Sequence, residues 1–445
     1  LDDETLSPWQ MGGASRWWLH QSLAALQKTI AERGGTLILR RGRGEAVMAA
    51  LARETGAKAV FWNRRYEPQG QAADARLKSL LKEAGIEARS FNAGLLVEPW
   101  AIKTGSGGPF KVFSPFAKAV RAAGITGFSG PAPQRLRPLE GLASDTLASW
   151  YLEPTKPDWA AGLRATWQPG EAGAHARLTG FLAKTLRGYA TTRNRMDLDT
   201  TSKLSPHLHW GEISPWTVWQ SAHDTAAQDQ TLAKDIEIFG NELLWREFSH
   251  HLLAAAPNLP DANWKPTFDQ FPWSNGEGPE VAAWRAGRTG YPLVDAAMRE
   301  LWTTGFMHNR ARMVAASFLI KHLLVDWRIG EAWFWDTLVD ADLANNAASW
   351  QWVAGSGADA SPFFRIFNPV SQGETYDPEG RYVRRWVKEL AHLPDQFIHN
   401  PSKAPALVLG EAGVELGRTY PLPIVDHSFA RNRALAAFQS LKAAA

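Results

Sequence analysis

Cysteine is absent from all 445 residues. That absence excludes disulfides, thiolate nucleophiles, iron–sulfur clusters and zinc–thiolate sites, and it suits a reducing cytosol. No apolar run is long enough to span a membrane. The longest, "MVAASFLIKHLLVDW" from Met313 to Trp327, is interrupted by Lys321, His322 and Asp326 and reads as one buried or amphipathic helix. The opening "LDDETLSPWQ" is acidic and has no apolar core, so no secretory signal is visible, and its lack of a Met start points to residues upstream. Charge of one sign is also scarce. A net charge of +3 and a pI near 9.0 are too mild to announce a nucleic-acid binder, and the densest basic run is "RYVRRWVKEL", Arg381 to Leu390. Tyrosine is sparse at 7 residues, whereas tryptophan, normally among the rarest types, occurs 22 times.

What is present fits a soluble globular chain, 45% hydrophobic and 21% charged, large enough for two domains. Trp18, Leu19, Leu23, Leu26 and Ile30 recur at helical spacing. "GGTLILRRG" then reads as a strand, "GEAVMAALARETGA" as a helix, "AVFWN" as a strand, Gly70 to Ala84 as a helix and "EARSFN" as a strand. Alternation of this kind predicts a Rossmann-like α/β domain with a parallel sheet over residues 1–120, its first strand lying upstream of Leu1. "RGRGEAV" supplies only Gly42 and Gly44 of a dinucleotide fingerprint and reads as a turn. Residues 121–169 are rich in Gly, Pro, Ser and Ala and are expected to link the domains. Residues 170–445 show helix after helix and predict a large all-α domain.

Several segments carry side chains suited to chemistry. In "GNELLWREFSHHLL" Glu242, Trp245 and Arg246 stand at i, i+3 and i+4 and share a helical face. An ion pair shielding a half-buried Trp explains that segment, as does presentation of an acid, a flat ring and a cation to a ligand. In "GFMHNRARMVAASF" Asn309 and Met313 are i, i+4 partners flanked by Arg310 and Arg312, whose burial would require partners, and Asp340 and Asp342 of "DTLVDADLANN" are candidates. "TSKLSP", Thr201 to Pro206, offers hydroxyls and N–H groups before a helix, as a phosphate site or an ordinary cap would. His207, His209, His250 and His251 have no metal-ligand spacing and are expected to be structural or exposed. Neither a G-x-S-x-G elbow nor a Walker loop occurs.

Taken together, "TSKLSPHLHWGEISP", "NELLWREF", "TGYPLVDAAMRELWTTGFMHNRARM", "DWRIGE", "DADLANNAASWQW" and "ASPFFRIFNPVSQGETYDPEGRYVRRWVKEL" closely resemble the photolyase/cryptochrome family, in order from about Tyr189 to Leu390. The N-terminal part is compatible over "RYEPQGQAADARLKSLLKEAG" and "GPFKVFSPFAKAV", without the family's opening strand and tryptophan–phenylalanine–arginine signature. Within the family the chain looks like the branch that repairs cyclobutane pyrimidine dimers, nearest the bacterial class III group related to plant cryptochromes. The resemblance implies a U-shaped FAD in the helical domain. Tyr189 and the run Thr201, Ser202, Lys203, Leu204 and Ser205 would hold its phosphate and ribose region. Arg246 and Asn309 would approach its middle, Arg312 would pair with Asp340 against the ring, Asp342 would meet the polar edge, and Asn346 would face N5.

The same resemblance implies that a flipped dimer meets Glu242, Trp245, Asn309, Arg310, Met313 and Trp352, with Arg365 on the DNA backbone. Glu242 would donate a hydrogen bond to the dimer, which requires a carboxyl kept neutral by desolvation. Photoexcited FADH⁻ would give the dimer an electron, the ring bonds would break, and the electron would return. Trp350, Trp327 and Trp273 would form a relay to the surface, although most of the 22 tryptophans are expected to be core. A photoreceptor cryptochrome is the alternative; Glu242, Met313 and Asn346 rather than Asp favour repair. A (6-4) photolyase would want His at Asn309, and a non-enzymatic nucleic-acid binder would be colourless. Gly70 stands where folate-binding bacterial photolyases carry an acid, so a methenyltetrahydrofolate antenna is expected in a different arrangement. The remaining expectations are UV-damaged DNA as partner, no metal, no membrane, a monomer, and a place in the bacterial cytosol or nucleoid.

Overall fold

The computed structural model describes residues 1–5, 7–127, 130–274, 276, 278–359 and 364–444. The chain forms two compact units that are each discontinuous in sequence: Leu1–Arg187 with Ser202–Pro257 and Leu338–Asn345, and Gly188–Thr201 with Asn258–Thr337 and Asn346–Ala445.

The first unit opens as α/β. Strand β1 (Ala59–Asn63) pairs in parallel with β2 (Glu87–Phe91), in the register Ala59↔Glu87 to Asn63↔Phe91. A parallel pair needs a crossover, and the Pro68–Glu83 helix provides it, entered through Pro68 in its first turn. Apolar positions of this helix and its neighbour Gly44–Glu54 face the sheet: Ala52, Val60, Leu77 and Leu81 are buried together, with Met48, Trp62, Ile86 and Ala88 around them. Side chains alternating about a pleat on one side and a helical stripe on the other explain why the pattern was readable.

"GGTLILRRG" departs from expectation. It belongs to no strand. Leu39 N–H donates to Ser144 Oγ at 2.9 Å, and Leu39 O accepts from Asp145 N–H at 2.8 Å. Burial of Leu39 beside Trp150 and Leu152 produces the strand-like alternation, while the hydrogen-bond partners come from an irregular segment. Residues 121–169 carry little regular structure, yet Trp150, Leu152, Ala160, Leu163 and Trp167 are buried.

The second unit is helical among the described residues. Its helices include Pro292–Thr304, Asn309–Ser317, Trp327–Thr337 and His427–Ala444. Met313 to Trp327 is not one helix. The Asn309–Ser317 helix passes into a π turn at Phe318–His322, Leu324 takes φ +56°, Ser274 and Val325 form an isolated bridge, and a new helix starts at Trp327. Five consecutive residues, Phe318 to His322, are buried, which one face of a regular α-helix cannot achieve. The wider turn instead sends Lys321 to the carbonyl of Arg365 and His322 to the ring of His427. π turns of this kind are often found at functional sites. No helix among the described residues is long and apolar enough to cross a membrane.

Candidate functional site

In the first unit the Ala233–Ala255 helix carries Glu242, Trp245 and Arg246. Trp245 is 36% exposed, and its indole lies flat on Phe113, with centroids 3.7 Å apart and planes within 6°. Arg246 donates to Gly94 O at 2.6 Å and to Glu247 Oε1 at 3.2 Å. Glu247, which sequence reasoning passed over, is fully buried and accepts from the N–H groups of Leu96 and Val97 at 2.7 and 3.1 Å. Burial pushes its carboxyl up, opposed by the neighbouring Arg246. His251 Nε2 completes the strap at Val97 O, 3.0 Å away. Three residues on two successive turns of one helix therefore hold the 94–97 segment by its backbone.

Asp342 organises a second cluster. As the residue preceding the Leu343–Ala354 helix, it accepts from Asn345 N–H at 2.8 Å and Asn345 Nδ2 at 2.6 Å, both on Oδ1. Asn345, without a role in the sequence reading, thus anchors a cap. Oδ2 faces His250 Nε2 at 3.3 Å and His209 Nδ1 at 3.6 Å. His250 Nδ1 meets Arg246 O at 3.1 Å, so both ring nitrogens face acceptors, an arrangement that favours the imidazolium. Desolvation opposes that charge, but Asp342 prevails and the pKa of His250 is raised. The carboxyl of Asp342 is held well below its usual range: burial opposes ionisation, and the two histidines overcome it. His209 and His250 were expected to be structural or exposed; both pack against the carboxylate of Asp342, with His250 buried. Their separation in sequence hid the cluster.

This pair sets a pH window. A raised His250 stabilises the fold below its ordinary value of 6.5 and loses that contribution as pH rises through the folded pKa. Asp342 stabilises above its ordinary value of 3.8 and loses its contribution only as pH falls through a lower one. Melting temperature measured against pH should therefore fall on the alkaline side above about 6.5 in the parent protein, and His250→Gln should flatten that decline.

Around the same cluster, Ser205 Oγ–H donates to Asp340 Oδ2 at 2.6 Å, and Lys203 sits at φ +51° in a tight turn where Leu204 N–H donates to Ser202 Oγ at 3.4 Å. The short Ser205–His209 helix follows. His207 of "HLH" is buried and bound to Glu212 at 2.5 Å, a structural pair.

In the second unit, Asn309 begins its helix in an exposed position, and His308 Nδ1 caps it by accepting from Arg310 N–H at 3.1 Å. Arg310 donates to Asn194 Oδ1 at 2.9 Å and lies over the Tyr376 ring at 4.5 Å. Arg312 donates to Met307 O at 2.8 Å and lies 5.2 Å over Phe306. Met313 and Trp352 are half-buried, Arg365 is exposed, and Tyr189 is buried with Arg193 over its ring at 5.9 Å. Thr201 is half-buried. Ala360 to Phe363 of the matching motif lie outside the described residues.

Asn346 is buried, and its Nδ2 donates to the backbone oxygen of Glu331 at 3.0 Å. Glu331 was not singled out from the sequence. Both its carboxyl oxygens are buried without a hydrogen bond among the described residues, and burial holds the group well above the usual carboxylate range. Trp350, 2% exposed, packs edge-on against Phe334 at 4.9 Å and Trp284 at 6.5 Å. A Cβ at Gly330 would lie 2.1 Å from Trp350 Cη2, so glycine is required for the indole to sit where it does. Trp327 is fully buried and donates to Asn263 Oδ1 at 2.9 Å. Trp273 is half-buried against Phe271 at 4.3 Å, and its indole nitrogen has no partner among the described residues. The first two expected relay members are thus interior and the third is nearer the surface.

Comparison with known proteins follows the same lines. Residues 239–440 match the FAD binding domain of DNA photolyase, and residues 1–135 match DNA photolyase. The chain is 52% identical over 434 residues to a deoxyribodipyrimidine photo-lyase of Agrobacterium fabrum, covering 97% of this chain and 90% of that protein. It is 40% identical over 436 residues to cryptochrome-2 of Arabidopsis thaliana, covering 94% and 70%. The crystal structure of a bacterial class III photolyase from Agrobacterium tumefaciens superposes with a TM-score of 0.94 at 50% identity, over 99% of this chain and 90% of that one. An archaeal photolyase from Sulfolobus tokodaii, solved with two FAD molecules, gives a TM-score of 0.77 at 26% identity, over 99% and 92%. With an α/β N-terminal region, a helical remainder and likeness along nearly its whole length, the chain belongs to the photolyase/cryptochrome family.

Proposed function

We propose that the protein is a light-driven DNA repair enzyme, a deoxyribodipyrimidine photo-lyase that splits cyclobutane pyrimidine dimers using bound FAD. The observation that carries this reading is Trp245: a large, partly exposed indole, backed in parallel by Phe113 and one helical turn from Glu242. A rigid flat ring beside a carboxyl is a platform on which the extruded dimer stacks while its carbonyls find a donor. Asn309, Arg310, Met313 and Trp352 are proposed to contact the dimer, and Arg365 the phosphates.

The donor set fits a flavin. Asn346, itself a buried residue, spends its Nδ2 on Glu331 O, and its Oδ1 accepts from no described residue, which leaves an acceptor for an N–H such as flavin N5–H. Tyr189, Thr201 and Ser202 to Ser205 are proposed to hold the phosphate and ribose region, Arg246 and Asn309 the middle, Arg312 with Asp340 the ring, and Asp342 the polar edge. When bound, reduced FAD supplies under blue light the electron that enters the dimer and then recovers it. The role of the chain is to hold fixed donors and cations around that site and to exclude water. Trp350, Trp327 and Trp273 are proposed to reload the flavin with electrons. A folate antenna, a monomeric state and a cytosolic or nucleoid location complete the proposal. Purified protein should release FAD on denaturation, and a second chromophore recovered with it identifies the antenna. A colourless protein would contradict the reading.

A further inference from the structure

The exposed Arg365 projects from backbone that is held at three points. Ahead of it, Phe364 stacks on Phe438 of the His427–Ala444 helix, centroids 4.4 Å apart and planes within 4°. Its own carbonyl accepts from Lys321 Nζ at 2.8 Å, and the same ammonium lies 3.9 Å over the Phe364 ring. Beyond it, Phe367 N–H donates to Ser317 Oγ at 3.3 Å, and the Arg365 guanidinium rests 4.8 Å over the Phe367 ring. Phe268, Phe271 and Leu441 close the cluster around Phe364 and Phe438.

Lys321 is the unusual member. It is 2% exposed, its ammonium donates to a backbone carbonyl, and no carboxylate acts on it among the described residues. Burial alone pulls its ammonium down to about 7. An unpaired buried cation costs stability, so packing does not explain it. Its two contacts, the Phe364 ring and the Arg365 carbonyl, both act on the segment that bears the exposed arginine.

We propose that Lys321 and Phe438 are positioning residues for DNA binding: they clamp Phe364 and the Arg365 carbonyl, so that Arg365 meets a backbone phosphate already oriented. This inference rests on the proposed DNA role of Arg365. Neither residue touches DNA itself; each spares the ordering cost that a loose arginine would incur on binding.

The test is a double-mutant cycle on the FAD-loaded full chain, in the dark, with a fluorescent oligonucleotide carrying one cyclobutane dimer and several salt concentrations. Arg365→Ala should weaken binding about tenfold and reduce the salt slope by about one. Phe438→Ala and Lys321→Met should each reproduce most of both changes, yet add nothing in the Arg365→Ala background, because all act through one contact. Phe438→Tyr should retain affinity. Lys321→Met should not lower the melting temperature, since it removes a buried unpaired cation and is one atom shorter, keeping most of the apolar stem. Losses that multiply with Arg365→Ala, or a lower melting temperature with an unchanged salt slope, would make the clamp purely structural and overturn the proposal. If Arg365→Ala itself leaves affinity and slope unchanged, the DNA role of Arg365 is what fails, and the clamp falls with it.

Discussion

Trp350→Phe is expected to bring light-driven reduction of bound flavin close to background while chemically prereduced protein still repairs dimers. The indole is 2% exposed and fixed by Phe334, Trp284 and the missing side chain of Gly330. Phenylalanine keeps much of the packing but is far harder to oxidise, so loss of reduction without loss of flavin isolates electron supply from binding. Flavin bleaching under blue light with an external reductant reads the first quantity, and dimer loss after dithionite treatment reads the second. Normal photoreduction in this variant would remove Trp350 from the relay. Gly330→Ala offers an independent check. A Cβ within 2.1 Å of Trp350 Cη2 must displace the ring, so photoreduction should slow although no tryptophan has been changed.

Glu242→Ala is expected to depress the repair yield per absorbed photon far more than it lowers flavin content. A hydrogen bond to a group that becomes charged is worth about 1.5–3 kcal/mol, roughly a ten- to hundredfold change in the partition between productive splitting and unproductive electron return. Glu242→Gln retains a donor and should recover part of the yield. Equal yields for parent and Glu242→Ala would remove the carboxyl from the chemistry. Trp245→Ala, by contrast, removes a stacking platform backed by Phe113 and should act mainly on affinity for damaged DNA, by about 1–3 kcal/mol.

The parts of the molecule legible from sequence are those governed by local periodicity. Val60, Leu77 and Leu81 announce a strand and its crossover helix because each element buries one face. Glu242, Trp245 and Arg246 share a helix because their spacing fits one. "GGTLILRRG" has the same alternation but borrows hydrogen bonds from an irregular segment, which no periodicity reveals. The Met313–Trp327 run breaks because Lys321 and His322 have distant partners in Arg365 and His427. At the site, motif order pointed to Asp342 and Asn346. It gave no sign of the His209 and His250 rings on Asp342, or of the buried Glu331 behind Asn346, since those contacts join residues far apart in the chain.

The most direct measurement is the fate of a defined cyclobutane dimer in an oligonucleotide incubated with purified, FAD-loaded, prereduced protein. Under blue light the dimer should revert to two intact pyrimidines with multiple turnovers, and in darkness it should persist. A flavin that binds and photoreduces while the dimer survives illumination would contradict repair and identify the protein as a photoreceptor instead.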